Sequence, residues 1–113
     1  MMDVNSMGTL TEFSRAFNRR DWEAWARVVA DDFVQSSEHA GEVFENDKAG
    51  FLALHKRMTD NELEFRIISA AVNGSIFCMA WEFVKNDHQV IRGAGVGQFD
   101  ADGRICKLKG LNT

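Results

Sequence analysis

The sequence predicts an α+β domain, with three N-terminal helices packed on one face of an antiparallel sheet. Two observations predict it. Apolar residues recur at three- and four-residue spacing up to about residue 60, as a helix face requires, and then at every second position, as a half-buried strand requires. Turn signals cut the second half into four short segments, and strands joined by short turns make a meander that needs helices on one face to bury it.

Thr9 and Glu12 have capping-box spacing, a hydroxyl and a carboxylate that can each serve the other's backbone N–H. Behind them Leu10, Phe13 and Phe17 form one apolar stripe, which predicts a helix over 9–19. The run Asn18-Arg19-Arg20 breaks the stripe, and Asp21 can cap a second helix over 21–30 that carries Trp22, Trp25, Val28 and Val29. Asp31-Asp32 ends it, Phe33-Val34 begins an extended segment, and GEVFEN (41–46) reads as a turn and short strand. Asp47 can cap a third helix over 47–59, with Phe51, Leu54, His55 and Met58 along one face. Strands are predicted over 62–72, 75–85, 88–99 and 104–111. In the first, Leu63, Phe65 and Ile67 alternate with Glu64 and Arg66; in the second, Phe77, Met79, Trp81 and Phe83 alternate with Cys78, Ala80 and Glu82. Asn73-Gly74 is a strong hairpin signal, and Asn86-Asp87 and Asp100–Gly103 supply the other turns.

At 113 residues the chain has room for a single domain, 1–113, whose core needs no disulfide or metal. A net charge of -4 concentrates no positive potential for phosphates, which argues against nucleic acid as a partner. Cys78 and Cys106 lack metal-ligand spacing and sit in apolar runs, so they read as buried free thiols suited to a reducing cytoplasm. MMDVNSMGTL carries an Asp and no apolar run, unlike a signal peptide, and no segment reaches membrane-spanning length. No spacing in the chain asks for a metal or a cofactor.

The stretch IRGAGVGQFDADGR (91–104) places glycine at 93, 95 and 97. A dinucleotide loop wants G-x-G-x-x-G between a strand and a helix, whereas here the spacing is G-x-G-x-G and a tight turn follows. Glycine at every second position instead strips the side chains from one face of a strand. Such a stripe weakens the strand, and it fits either close approach of a ligand or a sharply curved sheet.

The segments FSRAFNRRDWEAWARVVADDFV (13–34), GEVFENDKAGFLALH (41–55) and WEFVKNDHQVIRGAGVGQFDADGRICKL (81–108) cover most of the chain. Their order of helix, helix, short strand, helix and meander resembles the cone-shaped nuclear transport factor 2-like superfamily. Within it the chain is similar to the SnoaL-like polyketide cyclases and the ketosteroid isomerases. The resemblance implies a curved sheet closed into a cone, a small hydrophobic ligand and a homodimer. It implies less about activity, because the fold hosts isomerases, cyclases, dehydratases, epoxide hydrolases and non-catalytic binders.

In the ketosteroid isomerase pattern, a helix 1 tyrosine falls on Phe13, the aspartate base on Ser37 and the second oxyanion-hole acid on Gly95. All three polar groups are missing, and the chain has no tyrosine. Chemistry that needs that base and those donors is therefore not expected. The remaining candidates for catalysis are Glu38, His39 and Arg92. A carboxylate beside an imidazole can serve as a general base, or be an exposed loop pair. Arg92 facing inward would hold an anionic oxygen; facing outward it makes a cross-strand pair with Trp81 or Glu82. His55 lies on the apolar side of the third helix, where a core or rim histidine is the commoner case. Phe13, Phe17, Trp25, Met79, Trp81 and Phe83 form an aromatic set of which some members should line a cone, with Ser37, His55, Gly93, Gly95 and Gly97 beside them. The favoured expectation is a cofactor-independent isomerase, cyclase or lyase acting on a polyketide- or terpenoid-like metabolite. The alternatives are a non-catalytic carrier of such a ligand and a structural dimer with a packed interior.

Overall fold

The computed structural model describes residues 2–112, and the side chains of 6–112. Its elements are α1 (Met2–Arg19), α2 (Trp22–Val28), β1 (Val29–His39), β2 (Glu42–Asp47), α3 (Lys48–Asp60), β3 (Glu64–Asn73), β4 (Ile76–Lys85), β5 (His88–Phe99) and β6 (Ile105–Asn112). The strands form one six-stranded sheet in the order β2-β1-β6-β5-β4-β3. The meander β3 to β6 is antiparallel throughout, as is the β1–β2 hairpin, but β1 joins β6 in parallel. The sheet is therefore mixed at that one seam, which the predicted all-antiparallel arrangement did not contain.

Local chemistry sets most of the boundaries. The Asp21 carboxylate accepts from the Ala24 N–H at 3.1 Å and the Asp47 carboxylate from the Gly50 N–H at 2.8 Å, so both predicted caps start their helices. The β4–β5 turn holds Asn86 and Asp87 at φ +52° and +63°, the left-handed pair that a two-residue hairpin turn requires. Asp100 closes the last turn by accepting from the N–H groups of Asp102 and Arg104, both at 2.9 Å.

Two helix boundaries differ from expectation. α1 starts well before Thr9, so the Thr9–Glu12 spacing caps nothing; the Thr9 hydroxyl instead donates to the Gly103 carbonyl at 3.3 Å, tying the helix to the last turn. α2 stops at Val28, and Val29 and Ala30 belong to β1. The two cysteines are also less buried than predicted. Cys78 is exposed on the outer face of β4, and Cys106 is intermediate, its thiol pushed up by burial and by nearby Asp100 and Asp32.

The core lies between the helices and the inner face of the sheet. Leu10, Phe17, Trp25, Val29, Phe33 and Phe77 are its largest fully buried side chains. α1 is clamped to the sheet by Asn18, whose amide donates to the Phe65 carbonyl at 2.8 Å and accepts from the Phe65 N–H at 2.7 Å. None of the described helices is long and apolar enough to cross a membrane.

Register explains what faces the helices. Cross-strand partners share a face, and inner-face rows run Trp81–Gly93–Asn112–His39, Met79–Gly95–Gly110–Ser37 and Phe77–Gly97–Leu108–Gln35. Each row places a large ring or thioether on β4, a glycine on β5, and a polar side chain on β1.

Candidate functional site

A cavity of about 430 Å³ lies between α1, α3 and this inner face, within the size range of small-molecule sites. α1 contributes Phe13, and α3 contributes Phe51, Leu54, His55 and Met58, one side of a helix at three- and four-residue spacing. From the sheet come Met79, Trp81 and Phe83 of β4 and Leu108 of β6. Gln35, Ser37 and His39 enter from β1 because alternation points every second residue of that strand inward. Phe44, Glu45 and Arg57, all exposed, mark the mouth.

Two polar chains reach the wall, and each begins at an indole. Trp25 Nε1 donates to His55 Nδ1 at 3.0 Å. Trp81 Nε1 donates to Asn112 Oδ1 at 3.0 Å, and Asn112 Nδ2 donates on to Ser37 Oγ at 2.9 Å. Gln35 is held by Asn46, whose Nδ2 donates to its Oε1 at 2.7 Å.

His55 is 5% exposed and ringed by aromatics, with the Phe51 centroid at 4.1 Å and that of Phe17 at 5.0 Å. No carboxylate compensates for lost water, so burial pushes its pKa down to about 3. The imidazole is neutral at physiological pH and does not shuttle protons there.

The glycine stripe has a structural answer. Its three members face the helices, but rings of β4 already occupy the space above them. A Cβ on Gly95 would fall 2.5 Å from the Lys109 carbonyl oxygen and 3.0 Å from the Trp81 ring, and one on Gly110 would fall 2.8 Å from the same ring. Gly97 lies under Phe77, and Gly93 under Trp81 beside Asn112. The glycines let the indole lie against the sheet with its Nε1 on Asn112. The cavity wall is thus the Trp81 side chain rather than the glycines themselves.

Of the remaining predicted residues, Phe13, Ser37, His39, His55, Met79, Trp81 and Phe83 meet at the cavity. Phe17 and Trp25 are fully buried in the core behind it. Glu38 and His39 are not a working pair, because neighbours on a strand point to opposite faces; His39 lines the cavity mouth and Glu38 is exposed on the other side. Arg92 is exposed opposite Glu82 on the outer face, the outward of its two alternatives. Sequence reasoning missed Gln35 and Asn112. Strand alternation from Ser37 could have found Gln35, but nothing local marks Asn112, whose place follows from pairing with β5. Among the described residues no cluster of three His, Cys, Asp or Glu could hold a metal.

A model of the SnoaL-like domain family matches residues 10–108. The chain belongs to that family. No curated protein is matched by its sequence. Solved structures resemble the SnoaL-like domain closely in fold at low identity. A cystatin-like-fold protein of unknown function from Methylobium petroleophilum superposes with a TM-score of 0.85 at 16% identity, covering 98% of this chain and 77% of the other. IdmH, a proposed polyketide cyclase from Streptomyces antibioticus, gives 0.77 at 13% identity, covering 95% and 91%. An LEH-like epoxide hydrolase of M. tuberculosis gives 0.73 at 18% identity, covering 100% and 86%. At these identities the likeness concerns the nuclear transport factor 2-like fold alone.

Proposed function

We propose that this SnoaL-like domain is an enzyme that takes a hydrophobic metabolite, polyketide- or terpenoid-like, into the cavity and acts on it by cyclisation, isomerisation or dehydration. The observation that carries this reading is the cavity itself: about 430 Å³, walled by Phe13, Phe51, Met79, Trp81 and Phe83, with a few polar groups at defined places. Apolar walls bind and fold the substrate, and the reaction relies on positioning more than on ionised groups. The tyrosine and two aspartates of ketosteroid isomerases have no counterparts at Phe13, Ser37 and Gly95. General acid–base work falls to His39 at the mouth, since His55 stays neutral.

A second reading, a non-catalytic carrier, is favoured by one feature. Among the described residues the only carboxylate lining the cavity, Glu45, is exposed at its mouth, and none lies in the buried part. His39→Ala separates the two. An enzyme loses turnover of a cyclisable polyketide substrate while keeping its affinity, whereas a carrier shows no turnover to lose.

The domain works as a homodimer through the outer face of the sheet, in this proposal. Cys78, Ala80, Ala94 and Val96 lie there, together with Leu111, and Val96 and Leu111 are 50% and 52% exposed.

A further inference from the structure

An indole N–H can only donate a hydrogen bond, so each of the two chains that start at tryptophan has a fixed direction. Trp25 donates to Nδ1 of His55, which leaves Nδ1 without a proton and puts the proton of the neutral ring on Nε2. Trp81 donates to Oδ1 of Asn112, which fixes the amide orientation. Nδ2 then donates to Ser37 Oγ, so the serine's own hydrogen points away from that bond. His55 and Ser37 both line the cavity. Arg104 Nε is the one buried side-chain nitrogen or oxygen among the described residues without a hydrogen-bond partner, so His55 Nε2 is not sealed in the core. It opens on the cavity. One chain therefore ends at the cavity wall on an N–H that can only donate, and the other on a hydroxyl whose hydrogen is left to donate.

We infer that the cavity recognises a hydrogen-bond-acceptor oxygen on its apolar ligand, a carbonyl or enolate oxygen, through the Ser37 hydroxyl and His55 Nε2–H. Trp25 and Asn112 are positioning residues, since they act only by holding those donors. Burial keeps His55 neutral, so the donor persists across the physiological range. A pure hydrocarbon would fill the space but displace water from both groups without replacing its hydrogen bonds, which costs affinity.

The inference rests on the cavity being the ligand site, and a pair of matched probes tests the two separately. 2-Acetylnaphthalene and 2-isopropenylnaphthalene have nearly the same shape and differ in a C=O against a C=CH2. Isothermal titration with the intact protein should show the ketone binding tighter by about ten-fold, the worth of one good hydrogen bond. That preference should shrink in Ser37→Ala, in His55→Leu or in both. His55→Gln, which can accept from Trp25 and still donate, should keep it. Equal affinity of the wild-type protein for the two probes overturns the inference and leaves the cavity reading standing; binding of neither overturns both. Because His55→Leu can disturb the core, nitrogen-15 NMR of the wild-type imidazole gives a second measurement. The Nε2–H tautomer is expected at neutral pH, and an Nδ1–H tautomer or a charged ring overturns the assignment.

Discussion

Trp25 Nε1 and His55 Nδ1 are joined across 3.0 Å where both residues are almost wholly buried. The bond holds α2 against α3, and burial makes the ionisable side chain a neutral part of the core. That has a consequence for stability. The folded imidazole takes up a proton only near about pH 3, whereas the unfolded chain does so near the ordinary value of 6.5. Between those values the unfolded state binds more protons, so stability falls as pH drops through that window.

From this group alone the loss reaches about 2 kcal/mol at about pH 5. Denaturant midpoints of wild type and His55→Gln at about pH 7.5 and about pH 5 check it. The wild type should lose more than the variant, which has no imidazole to charge. Equal losses would mean that His55 is not buried in its neutral form.

Gly95 should not tolerate a side chain. Gly95→Leu drives a Cβ toward the Lys109 carbonyl and into the Trp81 ring, an overpacking that costs on the order of 1–3 kcal/mol. Calorimetry should show a melting temperature lower by several degrees. An unchanged melting temperature would mean that the space above Gly95 is open after all.

The Asn18 clamp should matter as much as a core side chain. Asn18→Ala leaves both the N–H and the carbonyl of Phe65 without their partner in a partly buried place, for a loss of about 1–3 kcal/mol. Hydrogen exchange should show protection lost first at Phe65 and the start of β3. A variant as stable as wild type would show that the clamp holds nothing.

Charge on the outer face should break the proposed dimer. Val96→Arg puts a guanidinium on a residue that is 50% exposed and faces away from the cavity, opposite Cys78. Sedimentation at micromolar concentration should give a dimer for wild type and a monomer for the variant. A monomeric wild type contradicts the proposal.

The meander was legible because its signals are local. Alternation around Phe77–Phe83 and the pairs Asn73-Gly74 and Asn86-Asp87 place strands and turns with no knowledge of distant contacts. The end of α2 was not, because Val28, Val29 and Ala30 continue a helical stripe as readily as they open a strand, and periodicity alone does not separate them. The parallel seam between β1 and β6 joins residues some seventy positions apart and leaves no local mark.

The same division runs through the site. Met79, Trp81, Phe83 and the α3 face follow from periodicity. Separating Glu38 from His39 needed only strand alternation, once β1 is known to run through to His39. The meaning of the glycines needed register: only the pairing of Gly93, Gly95 and Gly97 with Trp81, Met79 and Phe77 reveals that rings, not a ligand, lie above them.

The central claim is that the space between α1, α3 and the sheet holds an apolar ligand. A crystal structure of the protein soaked with 2-acetylnaphthalene tests it most directly. The account predicts ring density between Phe13, Met58 and Trp81, with the ketone oxygen turned toward Ser37 or His55. A collapsed cavity, or the ligand found only on the outer face of the sheet, would contradict it.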